Sequence, residues 1–197
     1  MNVVVDARTA HKGFPGIGRY VAGLLWGFKQ LAGTPPIHVI TALGVDEPYS
    51  LPDFPALPCP RTPFSVAQQW SLRPALSRLK PVIYHSPYYL MPYRPGVPTV
   101  LTCHDVIPVL FPHYFSRGQR IVYGLTTRLA LRAASRLIAV SGQTKADLID
   151  RFNVEPTTVT VVEEASASDF YPRPRGETEA VGARYGLPER YVLSVGT

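Results

Sequence analysis

Six short runs of apolar, mostly β-branched residues punctuate the chain at 3–5, 37–42, 82–84, 99–102, 137–140 and 159–162. Within them polar and apolar residues do not alternate strictly, so each reads as a strand covered on both faces. The helix-length stretches between them read as parallel crossovers. The expected fold is α/β, a doubly wound, Rossmann-like parallel sheet with helices on both faces. A first helix is expected to start near Gly18, with Tyr20, Val21, Leu24, Leu25, Phe28 and Leu31 as its apolar stripe, and to end at Gly33, Pro35 and Pro36. Over 44–63, prolines at 48, 52, 55, 58, 60 and 63 predict an extended loop without regular structure. A second helix is expected over 65–79. It would turn Val66, Trp70, Leu72, Leu76 and Leu79 inward and kink at Pro74.

Composition narrows the class. With 197 residues, 46% hydrophobic and 17% charged, the chain can bury one sizeable core and is not expected to be disordered. No run reaches the roughly 18 apolar residues of a membrane span, and Asp6 interrupts the N-terminus too early for a signal peptide. The expectation is a soluble, cytoplasmic protein. Cys59 and Cys103 lack metal-ligand or disulfide spacing and read as small packed hydrophobes.

The formal net charge of +6 and a pI near 9.5 point to an anionic partner. No nucleic-acid motif accompanies the basic residues, so nucleic acid is not expected. Two segments, 64–80 and 111–136, interleave aromatic residues with arginines, and these predict peripheral contact with the anionic cytoplasmic face of a membrane.

In such a sheet, chemistry belongs beyond the carboxyl ends of the strands. After the first strand, Gly16 and Gly18 lie in a glycine-rich turn opening a helix, suited to an anion. Val21 stands where a dinucleotide fingerprint would have its third glycine, and no acidic residue ends the second strand, so a nicotinamide cofactor is disfavoured. Later strand ends present His85-Ser86-Pro87-Tyr88, His104-Asp105, and Ser141-Gly142-Gln143-Thr144-Lys145. Two histidines at neighbouring strand ends, one beside a carboxylate, are candidate chemistry; a hydrogen-bonded structural role is the alternative. Ser141 is suited to cap a helix, with Thr144 and Lys145 adding a hydroxyl and a cation for a phosphate or carboxylate.

Taken in order, Gly16-Ile17-Gly18-Arg19-Tyr20, His85-Ser86-Pro87, Thr102-Cys103-His104-Asp105 and the Ala139-Val140-Ser141 to Asp147-Leu148 segment resemble the N-terminal domain of retaining GT-B glycosyltransferases of family 4, also called group 1. The resemblance implies transfer of a sugar from a nucleoside diphosphate sugar to an acceptor hydroxyl with retention, without metal or other cofactor, in polysaccharide, lipopolysaccharide or glycolipid synthesis. It implies that His104 and Asp105 border the reacting centre, and that Gly16, Gly18 and Arg19 face the donor diphosphate. His85, Ser86, Tyr88, Ser141, Thr144 and Lys145 would contact a carbohydrate or lipid-linked acceptor.

By the same resemblance, residues 1–190 form the acceptor domain, and 191–197 begin the first strand of a C-terminal nucleotide-sugar domain of the same protein. The 197 residues alone are expected to be inactive. The family often has Asn-Gly-Val-Asp where this chain reads Val162-Glu163-Glu164-Ala165, and neither glutamate is assigned a role. A nonhydrolysing sugar-nucleotide epimerase and a non-enzymatic Rossmann-like binding domain are the alternatives.

Overall fold

The computed structural model describes residues 2–45, 48–167 and 170–194. They fall into two compact units, the first ending at Glu164 and the second beginning at Ala165. The first unit contains strands β1 (Val3–Asp6), β2 (Ile37–Ala42), β3 (Ala56–Cys59), β4 (Ile83–Ser86), β5 (Thr99–Cys103), β6 (Arg136–Ala139) and β7 (Val159–Val161). Its helices are α1 (Pro15–Gln30), α2 (Gln68–Leu79), α3 (Ile107–Leu110), α4 (Arg117–Ala133) and α5 (Gly142–Phe152). The strands form one sheet in the order β3-β2-β1-β4-β5-β6-β7, and every pairing is parallel. The direction of winding reverses between β1 and β4, which places a crevice at their carboxyl ends.

Register fixes the layers. Val5, Val39, Val21 and Leu25 share one cluster, so α1 covers one face of the sheet. Val4, Ile40 and Tyr84 share another with Leu72 and Leu76 of α2 on the opposite face. Tyr84 pairs with Thr99, and Leu101 with Leu137, which carries that second face across to the cluster holding Ala130 of α4 and Leu148 of α5. Helices thus lie on both faces, in an α/β Rossmann-like fold.

All six apolar runs form strands, with bounds shifted by at most two residues, and a seventh strand appears where none was expected. β3 contains Pro58 and lies in the proline-rich segment, but it is an edge strand bonded only to β2. The missing N–H is tolerated there because no further strand needs it.

α1 starts at Pro15 rather than near Gly18, since proline's fixed φ and absent N–H suit the first helical position. Leu31 follows the last turn and is exposed instead of completing the stripe. α2 starts three residues later than expected and turns differently. Gln68, Leu72 and Leu76, four residues apart, form its buried line, while Val66 and Trp70 are 73% and 68% exposed. Trp70 lies two positions from Gln68 and therefore about 200° around the helix.

Both cysteines are free and buried, and burial pushes the Cys103 thiol up to about 12, so it is an unreactive packing group. Among the described residues no helix is long and apolar enough to cross a membrane.

The second unit contains α6 (Arg175–Tyr185), which has no buried residue. Ion pairs from Arg173 to Glu177 and from Arg175 to Glu179, each spaced i to i+4, support it, and Gly186 ends it with a left-handed φ of 62°. Of the strand expected over 191–197, residues 191–194 form no regular element, and 195–197 lie outside the described residues.

Candidate active site

The carboxyl end of β1 is anchored by a buried ion pair. Arg8, fully shielded from solvent, grips Asp6 with two bonds, Nε to Oδ1 at 2.8 Å and Nη2 to Oδ2 at 2.6 Å. The remaining groups are also satisfied. Tyr84 donates to Asp6 Oδ2 at 2.6 Å, while Arg8 donates to Gln68 Oε1 at 2.8 Å and to the Arg61 carbonyl at 3.1 Å. Gln68 in turn donates to the Pro63 carbonyl. Burial pushes the Asp6 carboxyl upward, but the charge and hydrogen bonds of Arg8 and the Tyr84 hydroxyl outweigh it and hold the group below its usual range. This network ties β1, β4, the proline-rich segment and α2 together under the crevice floor.

Above it, on the α1 face, three side chains make a second chain. His85 Nε2 lies 2.8 Å from Thr102 Oγ1, which lies 3.1 Å from the Tyr20 hydroxyl. His85 is buried, and burial lowers its pKa to about 4, with Asp6 opposing and His104 reinforcing the shift. Its imidazole is therefore neutral at pH 7.

The Tyr20 ring meets His104 edge-on, with centroids 4.9 Å apart. His104 is held on both sides, Nε2 lying 3.1 Å from the Pro87 carbonyl and Nδ1 3.1 Å from Glu164 Oε1. Both partners only accept, so the two bonds form together only when each ring nitrogen carries a proton. A neutral ring makes one of the two bonds at a time.

Tyr20, Thr102 and Glu164 are thus site residues to which sequence reasoning assigned no role. In the sequence Tyr20 falls within the apolar stripe of the first helix. Its hydroxyl beside a glycine turn was the available signal.

The other expected residues are placed as follows. Asp105 is exposed, and its Oδ1 accepts from the Ile107 amide at 3.0 Å, fixing the turn into α3. Ser86 points inward and donates to the Tyr88 carbonyl at 2.7 Å. Tyr88 is half-buried in an aromatic group, 4.5 Å from the Tyr89 ring centroid and 5.7 Å from that of Phe14. Ser141 caps α5 by accepting from the Thr144 amide at 3.0 Å. Thr144 is buried and donates to the His104 carbonyl at 3.0 Å, joining the start of α5 to the end of β5. Lys145 does not reach the crevice with its ammonium, which donates to the Val159 carbonyl at 2.8 Å.

Gly16 and Gly18 sit in the first turns of α1 and differ sharply, while Arg19 beside them is exposed. A Cβ at Gly16 would meet open space, whereas one at Gly18 would stand 2.8 Å from the Thr9 carbonyl oxygen and 2.6 Å from the Tyr49 ring. Gly18 therefore serves close packing of the helix start on the preceding loop. Gly18→Ala is expected to destabilise the fold by about 1–3 kcal/mol, and Gly16→Ala to leave it unchanged or slightly more stable. Urea denaturation of both variants is the check, and equal midpoints would contradict the packing role.

A cavity of about 70 Å³ opens beside His104 and Asp105, lined also by Ile17, Tyr88, Tyr89 and Tyr123. A larger one, about 420 Å³, lies by Leu137 and the turn Asn153–Thr158 at the other end of the strands, away from these groups.

Residues 15–164 match Glycosyltransferase Family 4. The chain belongs to glycosyltransferase family 4. It is 28% identical over 131 residues to the O-antigen chain mannosyltransferase B of Escherichia coli, an alignment covering 66% of this chain and 33% of that protein. Among solved structures it resembles Anabaena HepE in complex with UDP and glucose, with a TM-score of 0.55 and 14% identity, covering 94% of this chain and 50% of that one. It also resembles the lipopolysaccharide outer core galactosyltransferase WaaB, with a TM-score of 0.56 and 12% identity, covering 85% and 46%. The chain thus spans between a third and a half of these proteins, and the family 4 match covers the whole His85, His104 and Glu164 constellation.

Proposed function

We propose that this family 4 chain is the acceptor-side half of a retaining glycosyltransferase that takes a sugar from a nucleoside diphosphate sugar and places it on a hydroxyl of a surface polysaccharide, lipopolysaccharide or glycolipid acceptor. The observation that carries the reading is the convergence of Tyr20, His85, Thr102, His104 and Glu164 at the carboxyl ends of β4, β5 and β7, opposite the first turn of α1. The O-antigen mannosyltransferase and the UDP-bound neighbour support the substrate class.

In this reading the free amides at the start of α1, with nothing covering Gly16, receive the donor diphosphate, and Arg19 adds positive charge. His104 donates a hydrogen bond to a donor-sugar hydroxyl in exchange for one of its present partners, and Tyr20 keeps the ring in place. Asp105 orients the acceptor hydroxyl. The leaving diphosphate oxygen takes the acceptor's proton, so no protein base is needed and no metal enters. Tyr88 stacks against a sugar ring at the rim. A C-terminal nucleotide-binding domain of the same protein supplies the other wall, and the 197 residues alone bind without turning over.

In the two-domain enzyme, His104→Ala and Asp105→Ala are each expected to lower turnover at least about tenfold, up to about a hundredfold, with little change in thermal stability. Steady-state kinetics with the acceptor saturating make the check. Rates near wild type for both variants would remove these residues from the site.

A further inference from the structure

The positive charge of the chain is concentrated in one segment. Residues 106–146 contain six of the twenty Lys and Arg residues and none of the fourteen Asp and Glu. The other fourteen basic residues are matched by the fourteen acidic ones, so this segment alone accounts for the formal net charge of +6. It runs from α3 through α4 and β6 into α5.

α4 displays this charge beside apolar surface. With about 100° between successive residues, Tyr123, Thr127 and Ala130 face the sheet and are buried. The opposite arc carries Arg117, Arg128 and Arg132 along one side, and Leu125, Leu129 and Val122 along the other, with Ile121 between the arginines. Ile121 is 71% exposed and Leu125 58%. None of the ion pairs among the described residues involves these arginines. Tyr114, in the turn that precedes α4, is 75% exposed.

A soluble helix normally pairs such arginines with carboxylates and keeps its outer arc polar. Here both departures fall on one strip of surface.

We propose that the outer face of α4 docks on an anionic bilayer, lying in the plane of the interface with its arginines among the headgroups and Ile121, Leu125 and Leu129 in the acyl boundary. α2 also exposes Trp70, but it lies outside the uncompensated segment and serves as the comparison. The inference does not depend on the transfer chemistry, and a catalytic failure would leave it standing.

Co-sedimentation of the 197-residue chain with phosphatidylcholine vesicles, with and without phosphatidylglycerol, tests it. Binding is expected to the anionic vesicles only, falling steeply as salt shortens the Debye length from about 10 Å at 0.1 M to about 3 Å at 1 M. Arg117→Ala with Arg132→Ala should weaken it about twenty-five-fold, at about fivefold per cation. Ile121→Ser with Leu125→Ser should cost about tenfold or more. Arg73→Ala with Arg78→Ala on α2 should change it less than about twofold. All six positions are exposed, and circular dichroism confirms that each variant is folded.

Equal binding to both vesicle types, binding to neither, or an equal loss in the α2 variant would overturn the proposal. A concentration-dependent dimer dispersed by the serine variant would assign the face to a second copy instead.

Discussion

Arg8→Met is expected to cost about 3–5 kcal/mol of folding stability, because it strands the Asp6 carboxylate without its cation in a site closed to water. Arg8 meets Asp6, Gln68 and the Arg61 carbonyl at once, so one substitution unties β1 from α2 and from the proline-rich segment. The paired change Asp6→Asn with Arg8→Met should lose less than Arg8→Met alone, since it removes the stranded charge while the Asn carbonyl can still accept from Tyr84. Urea unfolding of wild type, both single variants and the pair gives the coupling directly. A loss under about 1 kcal/mol for Arg8→Met, with an unchanged urea slope, would show that the pair is replaceable and that the crevice floor is held by packing alone.

Acidification should destabilise the fold by up to about 3 kcal/mol between pH 6.5 and pH 4, and His85 should account for it. In the unfolded chain this imidazole takes a proton near its ordinary pKa of 6.5, whereas burial in the folded unit lowers the value to about 4. Between those pH values only the unfolded state binds the proton, so stability is complete above 6.5 and is lost progressively towards 4. Asp6 acts in a lower window. Its folded pKa is held below 3.8, so its contribution persists until the pH falls through that value. His85→Gln keeps a polar partner for Thr102 and removes the titration. Urea midpoints at pH 7.5 and 4.5 for wild type and His85→Gln separate the cases, and an equal acid loss in both would place the sensitivity elsewhere.

The architecture was legible where local pattern decides. The β-branched runs gave the strands, Ser141 marked the start of α5, and the sequence motifs pointed to the family that the match over 15–164 shows. What escaped depended on partners distant in sequence. The inward face of α2 is not legible from apolar spacing because Gln68, a polar residue, is buried to satisfy Arg8, sixty residues away in the chain. β3 was hidden because Pro58 forbids a central strand and only its place at the edge of the sheet makes it acceptable. Tyr20 and Glu164 reach His104 from α1 and from beyond β7, and no local spacing records either approach. Lys145 looked like a ligand for an anion, but its tether to the Val159 carbonyl needs the turn into β7 to be in place.

The edge position of β3 matters for solubility as well. A parallel sheet with an open side offers a row of unpaired amides and carbonyls on which another chain can nucleate. Here one border is a four-residue strand that contains proline, and the other, β7, has only three residues. Neither border presents a long unbroken row of such groups, which is one of the ways natural sheets discourage edge-to-edge pairing.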